Sequence, residues 1–408
     1  MSSHEATQSE LLTRARAVQL GNYAPAPLVF TRGEGRRLYD RDGRAFLDLS
    51  GGVAVNSVGH GHPVLAAAIA EQAARLMHVS NLFYNDRAIE LASAIVDRTA
   101  FDRVYFCNSG AEANESLLKL ARRFHHEQGQ GDRVELVSTH RSFHGRTLGA
   151  LSVTGQDKYH VGMGPLLPGV RFVPYNDVDA LRAVIGPRTA AVLLEPVQAE
   201  GGIIPAAPGY LESVRALCDE AGALLLFDEV QTGYGRLGTF MGAERSGVVP
   251  DACSLAKGIA GGFPLGAIAV TERLANGLPP GSHASTFGGN ALACAAGLAV
   301  LRIFDEEGVL ENVVREGDYL GQRLLELATQ LDAVVEARGD GLLRGLVLSD
   351  GVDPGAVWRA MLDAGVALTL AGGNVLRFTP SLNVTREELD EGLATVAAVL
   401  AKTAEVAA

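Results

Sequence analysis

Lysine is nearly missing from this chain of 408 residues: only Lys119, Lys158, Lys257 and Lys402 are present. Cysteine is as rare, and Cys107, Cys218, Cys253 and Cys294 are widely spaced, with no C-x-x-C pair and no nearby histidine cluster. That spacing argues against a disulfide framework and against a zinc site, so reduced, buried thiols and no metal are expected. No stretch approaches the ~18 uninterrupted apolar residues of a membrane span. The polar start MSSHEATQSE lacks the basic and apolar regions of a signal peptide, so a cytoplasmic protein with no membrane partner is expected. A net charge of −12 with no basic stripe disfavours nucleic acid. The G-x-x-x-x-G-K-[ST] pattern of a nucleotide P-loop is absent.

What is present suits a large core, since 47% of the residues are hydrophobic and 20% charged. The 48 glycines are scattered through turn-like stretches and are not arranged in repeats, which suggests tight connections and close backbone approaches to a ligand. Residues 1–62 read as a helix and short strands. From 63 to about 305, helices alternate with apolar strands at 103–107, 134–137, 170–173, 190–194, 223–227 and 252–255, the pattern of a mostly parallel sheet covered on both faces. Residues 306–408, after a long apolar helix at 290–304, read as a small α+β unit with strands near 341–348, 366–370 and 375–378.

Lys257 alone among the lysines sits in an apolar, glycine-rich setting, SLAKGIAGGFPLG. A partly desolvated amine of this kind is what a carbonyl cofactor needs for a Schiff base. Upstream, the apolar run 223–227 ends in Asp228-Glu229-Val230-Gln231, a buried strand delivering two carboxylates to the edge where open α/β sheets bind ligands. An acid there can pair with a protonated pyridine nitrogen, and lysine plus acid are the two parts pyridoxal phosphate requires. A helix cap or a salt bridge would also account for the acid. Asn108-Ser109-Gly110-Ala111 joins a strand to the helix 112–124, whose free first-turn amides suit a phosphate, although such joints are commonly structural. Phe143 lies three residues before Arg146 in a turn-like stretch, so that one could stack on a ring and the other grip a carboxylate; a packed Phe and a solvated Arg fit equally. Ser285 and Thr286 offer hydroxyls before the helix at 290–304.

Taken in order, AVNSVGHGHP, FCNSGAEANE, FHGRT, LLEPVQAEGG, LLLFDEVQTGYGRLG, SLAKGIAGGFPLGA, HASTFGGN and LRFTPSLN resemble a fold-type I pyridoxal-phosphate aminotransferase of the class-III (ornithine/ω-amino acid) group. The likeness runs from about Tyr23 to the C-terminal helix. It implies an α/β fold with a large domain (63–305) built on a mostly parallel seven-stranded sheet, and a small α+β domain from segments 1–62 and 306–408. It also implies pyridoxal 5′-phosphate bound as an aldimine on Lys257, which carries protons, with Asp228 on the ring nitrogen. Glu229, Val230 and Gln231 belong to the same cofactor segment, Val230 against a ring face and Gln231 near the phenolic oxygen. Ser109, Gly110 and Ala111 would hold the phosphate, Phe143 would stack on the ring, and Thr286 would reach the phosphate from the partner of a homodimer. Arg146, helped by Tyr23 and Ser285, would hold the α-carboxylate of an ornithine-type donor. Arg377 would bind the α-carboxylate of glutamate or 2-oxoglutarate, with Glu200 covering it in the other half-reaction. The implied reaction passes the distal amine of N-acetylornithine to 2-oxoglutarate, in arginine biosynthesis. Ornithine, succinylornithine or 4-aminobutyrate as donor, an aminomutase, and a non-catalytic binding protein on the same fold are the alternatives. Asn290-Ala291 departs from the Asn-Pro of many relatives, a local helix-start preference only.

Overall fold

The computed structural model of the protein describes residues 6–407. Its centre is a seven-stranded sheet whose strands, numbered along the chain within that sheet, are β1 (Arg103–Cys107), β2 (Glu135–Thr139), β3 (Val170–Val173), β4 (Thr189–Leu194), β5 (Leu224–Asp228), β6 (Ala252–Leu255) and β7 (Gly266–Val270). The spatial order is β1-β7-β6-β5-β4-β2-β3. Every residue of β4 and β5 is buried, as expected of central strands covered on both faces.

The seventh strand, Gly266–Val270, is absent from the strands read out of the residue pattern. It pairs antiparallel with both β6 and β1. The reason is the short connection, residues 256–265, since a parallel return needs a crossover of about a dozen residues or more. The reversal places the start of β7 beside the C-terminal ends of β1 and β6, with that of β5 next to β6, so one sheet edge collects the segments at 108–111, 195–198, 228–231 and 256–265.

Two helices frame that edge. Gly110–Glu127 begins two residues before the sequence expectation, with Ser109 as its N-cap accepting from the Glu112 amide. Ala291–Glu307 is buried almost all round and packs against the helices Pro63–Arg75 and Asp86–Val96. Asn290 caps it through the Ala293 amide at 2.9 Å, so the helix start holds without proline.

The chain ends build two further sheets. The strands Phe30–Glu34, Arg37–Asp40 and Ala45–Asp48 form a meander that Val366–Ala367 extends in parallel. Val334–Asp340, Leu343–Leu348, Val375–Phe378 and Thr369–Ala371 form an antiparallel sheet; the first of these strands was not expected, and the stretch 366–370 divides between the two sheets. Arg377 sits directly opposite Thr369 in this sheet.

Candidate active site

The collected sheet edge opens into a cavity of about 450 Å³ lined by, among others, Ser109, Gly110, Phe143, Asp228, Val230 and Lys257. Lys257 enters it from a 3-10 turn directly after β6, with φ +41, the left-handed region. For a residue with a Cβ that geometry costs on the order of 1–2 kcal/mol. Ser57 Oγ donates to the next carbonyl, Gly258, at 2.9 Å and fixes the turn. Among the described residues the Lys257 ammonium has no hydrogen-bond or ion-pair partner. Burial, with Arg377 acting in the same direction, outweighs Glu200, Asp228 and Glu195 and pushes its pKa down to about 8.

Asp228 closes β5 and is buried. Its Oδ2 accepts from Asn114 Nδ2 at 2.7 Å and lies 2.8 Å from His144 Nδ1, while Oδ1 accepts from the Val230 amide at 3.0 Å. The Asn114 amide also donates to the His144 carbonyl at 2.7 Å, so helix, turn and strand lock one carboxylate from three directions. Glu229, the next residue, leaves on the other side. Its carboxylate accepts from the Ala243 amide at 2.7 Å, the Gly242 amide at 3.1 Å and the Thr232 hydroxyl, away from the cavity. Burial pushes its pKa up to about 7, against those three donors.

A small cradle lies at the start of helix Gly110–Glu127. The amides of Gly110 and Ala111 precede any intrahelical acceptor, whereas the Asn108 amide is taken by Glu112 Oε2 at 2.7 Å. A Cβ on Gly110 would come within 2.8 Å of Val230 Cγ1, and one on Gly145 (φ +130) within 2.7 Å of Ala111 Cβ. Both glycines therefore keep open space that a side chain would close.

Behind Gln231, which lines the cavity, lie Glu200 and Arg377, which do not: Glu200 pairs with Arg377 Nη1, and Gln231 bridges them, accepting from Arg377 Nη1 at 3.2 Å and donating to Glu200 Oε1 at 3.3 Å. Arg377 Nε donates to Thr369 Oγ1 at 2.9 Å. Burial alone would raise Glu200, but the charges of Arg377 and Lys257 and the bonds to Arg377 and Gln231 hold it below the ordinary carboxylate range. Arg146 lines the cavity from the turn after β2, exposed and without any hydrogen bond or ion pair to the described residues.

Tyr23, Ser285 and Thr286 do not line this cavity. Tyr23 and Thr286 are exposed. Ser285 Oγ accepts from Asn108 Nδ2 at 3.1 Å and from the Gly288 amide at 3.0 Å. Conversely, His144, Asn114 and Glu195 belong to the site without having been singled out. Glu195 follows the apolar run Ala190–Leu194 of β4 as Asp228 follows the apolar run Leu224–Phe227 of β5, and LLEPVQ beside LFDEVQ is the signal that could have found it. Its Oε2 accepts from the Phe143 amide at 3.1 Å. Burial, reinforced by Asp228 and Glu200, raises its pKa well above the ordinary value despite that amide and Lys257.

Known proteins carry the same pattern. The model of the family described as aminotransferase class-III matches residues 19–400. Acetylornithine aminotransferase of Caldanaerobacter subterraneus subsp. tengcongensis is 46% identical over 383 residues, 94% of this chain and 97% of that one. The succinylornithine transaminase/acetylornithine aminotransferase of Pseudomonas aeruginosa is 46% identical over 91% of this chain and 92% of its own. Among solved structures, the ornithine aminotransferase of Toxoplasma gondii, with partial occupancy of PLP at its active site, superimposes with a TM-score of 0.95 at 32% identity, covering 99% of this chain and 97% of that one. A match over more than nine-tenths of the length, with a lysine, an acid and an arginine lining one cavity, leaves one conclusion: this chain belongs to the class-III aminotransferases.

Proposed function

We propose that the protein transfers the distal amine of N2-acetyl-L-ornithine to 2-oxoglutarate, giving N-acetyl-L-glutamate 5-semialdehyde and L-glutamate, in arginine biosynthesis. Class-III aminotransferases use pyridoxal phosphate. The residues present fit that group: an amine without a partner, a locked carboxylate, and a glycine cradle at a helix start. When bound, it supplies a carbonyl carbon for the substrate amine and a ring that takes up electrons from the broken C–H bond.

Lys257 is the residue that would anchor it, and its Nζ then moves a proton from the amine-bearing carbon. With a pKa near 8, the neutral amine is about 300-fold more abundant at neutral pH than for an ordinary lysine. Asp228, held by Asn114 and His144, would pair with the ring N–H. Ser109 Oγ with the Gly110 and Ala111 amides would take the phosphate, Phe143 and Val230 the ring faces, and Gln231 the phenolic oxygen.

The single observation that carries the reading of a donor that reacts at a distal amine is the Glu200–Gln231–Arg377 cluster, and the acetyl group follows from the likeness to acetylornithine aminotransferases. Acetylornithine brings one carboxylate, which Arg146 would take, and leaves a methylene near Arg377. A buried guanidinium facing a methylene is costly unless paired, and Glu200 pairs it. Glutamate brings a second carboxylate, which would displace Glu200 from Arg377.

The homodimer is part of the same proposal. His78 packs on Phe287 with ring centroids 5.2 Å apart, and Asn81 Nδ2 donates to the Ser285 carbonyl at 2.8 Å. One face thus carries exposed Leu82, Phe83, Tyr84 and Phe287 near Thr286, an apolar patch that a second copy would cover. Thr286 would reach the phosphate of the facing subunit.

A donor panel tests the reading. kcat/KM for acetylornithine should exceed that for ornithine, succinylornithine and 4-aminobutyrate, all with 2-oxoglutarate as acceptor. An equal or higher value for one of those three would move the assignment to that donor. Succinylornithine is the closest rival because the Pseudomonas aeruginosa relative is named for both acyl forms.

A further inference from the structure

We propose that Tyr159 is a positioning residue for the donor's carboxylate: its ring is the platform that carries Arg146 flat and leaves the guanidinium edge free. This rests on the reading that Arg146 binds that carboxylate. Arg146 Cζ lies 3.7 Å from the centroid of the Tyr159 ring and 5.6 Å from that of Phe143. The Phe143 and Tyr159 rings themselves meet edge to face, 6.1 Å apart at 82°. Arg146 is otherwise unattached to the described residues, so these two rings are what orients it.

The platform is tied down on both sides. Tyr159 lies in the 3-10 turn Asp157–Tyr159, and its amide donates to the Gln156 carbonyl at 3.0 Å. Gln156 Nε2 donates to the Ser142 carbonyl at 3.0 Å, next to Phe143. On the far side, His160 Nε2 lies 2.8 Å from the Thr154 carbonyl and 3.0 Å from that of Leu151. Glu195 holds the other half of the assembly through the Phe143 amide. A turn fastened at both ends presents a ring of fixed orientation.

The physical argument concerns what an arginine needs to receive a carboxylate. Its five N–H groups point outward in the guanidinium plane, so a carboxylate partner in the chain would consume the edge a substrate needs. An aromatic face attracts the cation from above the plane and consumes none of it. Stacking therefore removes rotamer freedom from Arg146 before the substrate arrives, and leaves the bidentate geometry intact. Lys158 Nζ reaches the same ring, at 4.8 Å, from an exposed position.

The test compares two donors of equal reach, acetylornithine and N-acetylputrescine, which lacks the carboxylate. Tyr159→Leu should raise KM for acetylornithine about two- to fivefold, the size of an exposed cation–π contact, with kcat little changed. KM for N-acetylputrescine should not move, and Tyr159→Phe, which keeps the ring face, should restore the acetylornithine value. Equal losses for both donors, or a Tyr159→Leu enzyme with unaltered KM, would overturn the platform. Lys158→Gln should leave both values as they are; a loss matching that of Tyr159→Leu would assign the ring to Lys158 and overturn the proposal as well. Arg146→Gln tests the underlying reading separately, because it should abolish the preference for the carboxylate donor. If it does not, Arg146 is not the carboxylate site, whatever Tyr159 does. Tyr159→Gln replaces Tyr159→Leu should the latter fail to fold, and failure of both would make the ring a core residue and end the proposal.

Discussion

Arg146 lines the cavity and Arg377 lies behind its Gln231 wall, and the two are built in opposite ways. Arg377 is 2% exposed, threaded on a β-strand, and bonded to Glu200, Gln231 and Thr369. Arg146 is exposed, sits on a turn, and rests on aromatic faces. The difference follows from what each would be asked to do. A cation that must ignore one substrate and receive the other needs an internal carboxylate that competes on equal terms. A cation that receives a carboxylate from both needs its edge free at all times and its orientation fixed by something that cannot compete. Burial suits the first, because the pair is desolvated together, and exposure suits the second, because the unpaired guanidinium stays hydrated until the substrate arrives.

The most severe way to break the comparison is to remove the amine that both arginines serve. Lys257→Ala should lower turnover by on the order of 10⁴-fold or more with every donor and acceptor, since anchor and proton carrier are one group. Steady-state assays decide it, and wild-type turnover would reject the assignment. The same variant sharpens the dimer: mixed with Thr286→Ala subunits under exchange conditions, it should yield more activity than either parent. No gain despite demonstrated exchange would put Thr286 in its own subunit's site.

Glu200→Gln should separate the two ends by roughly an order of magnitude, the range of a charge-assisted bond. The glutamate half-reaction should be kept or improved, the acetylornithine half-reaction should weaken about tenfold, and free ornithine should begin to react at its α-amine. Single-turnover kinetics of each half-reaction, with product analysis on ornithine, measure this. Equal loss in both halves with unchanged regiochemistry would leave Glu200 a structural ion-pair partner.

The mildest probe concerns Lys257 between the two cations. Its depressed pKa means that the neutral amine increases as pH rises through about 8. Apoprotein should therefore combine with pyridoxal phosphate about tenfold faster at pH 9 than at pH 7 and level off, whereas an ordinary lysine would gain about a hundredfold and keep rising. Stopped-flow absorbance across that range distinguishes the two curves.

Much of this architecture was legible in the chain. Apolar runs that stop at a charged residue, at Asp228 and before Lys257, mark strand ends, and alternation with helices marks a parallel sheet. Ser109 before a helix announced its own cap. The strand Gly266–Val270 escaped because Gly-Ala-Ile-Ala-Val is short and weakly patterned, and its direction is set by a connection too short to cross over. Glu195 escaped although it repeats the pattern of Asp228, and Tyr159 offered no pattern at all.

What the sequence by itself determined was the set of chemical groups and the edge at which they would emerge, because hydrophobic periodicity and strand-ending residues are local properties of the chain. Only the tertiary structure decided how those groups act on one another. Asp228 and Glu229 are neighbours in sequence, yet one faces the cavity and the other a turn at Gly242–Ala243, because successive residues leaving a strand point to opposite sides. Glu200 meets Arg377 across 177 positions, and the Lys257 pKa falls to about 8 through burial by segments that no short window contains. Charge state, ion-pair choice and ring stacking depend on distances of a few ångströms between residues far apart in the chain, and folding alone sets those distances.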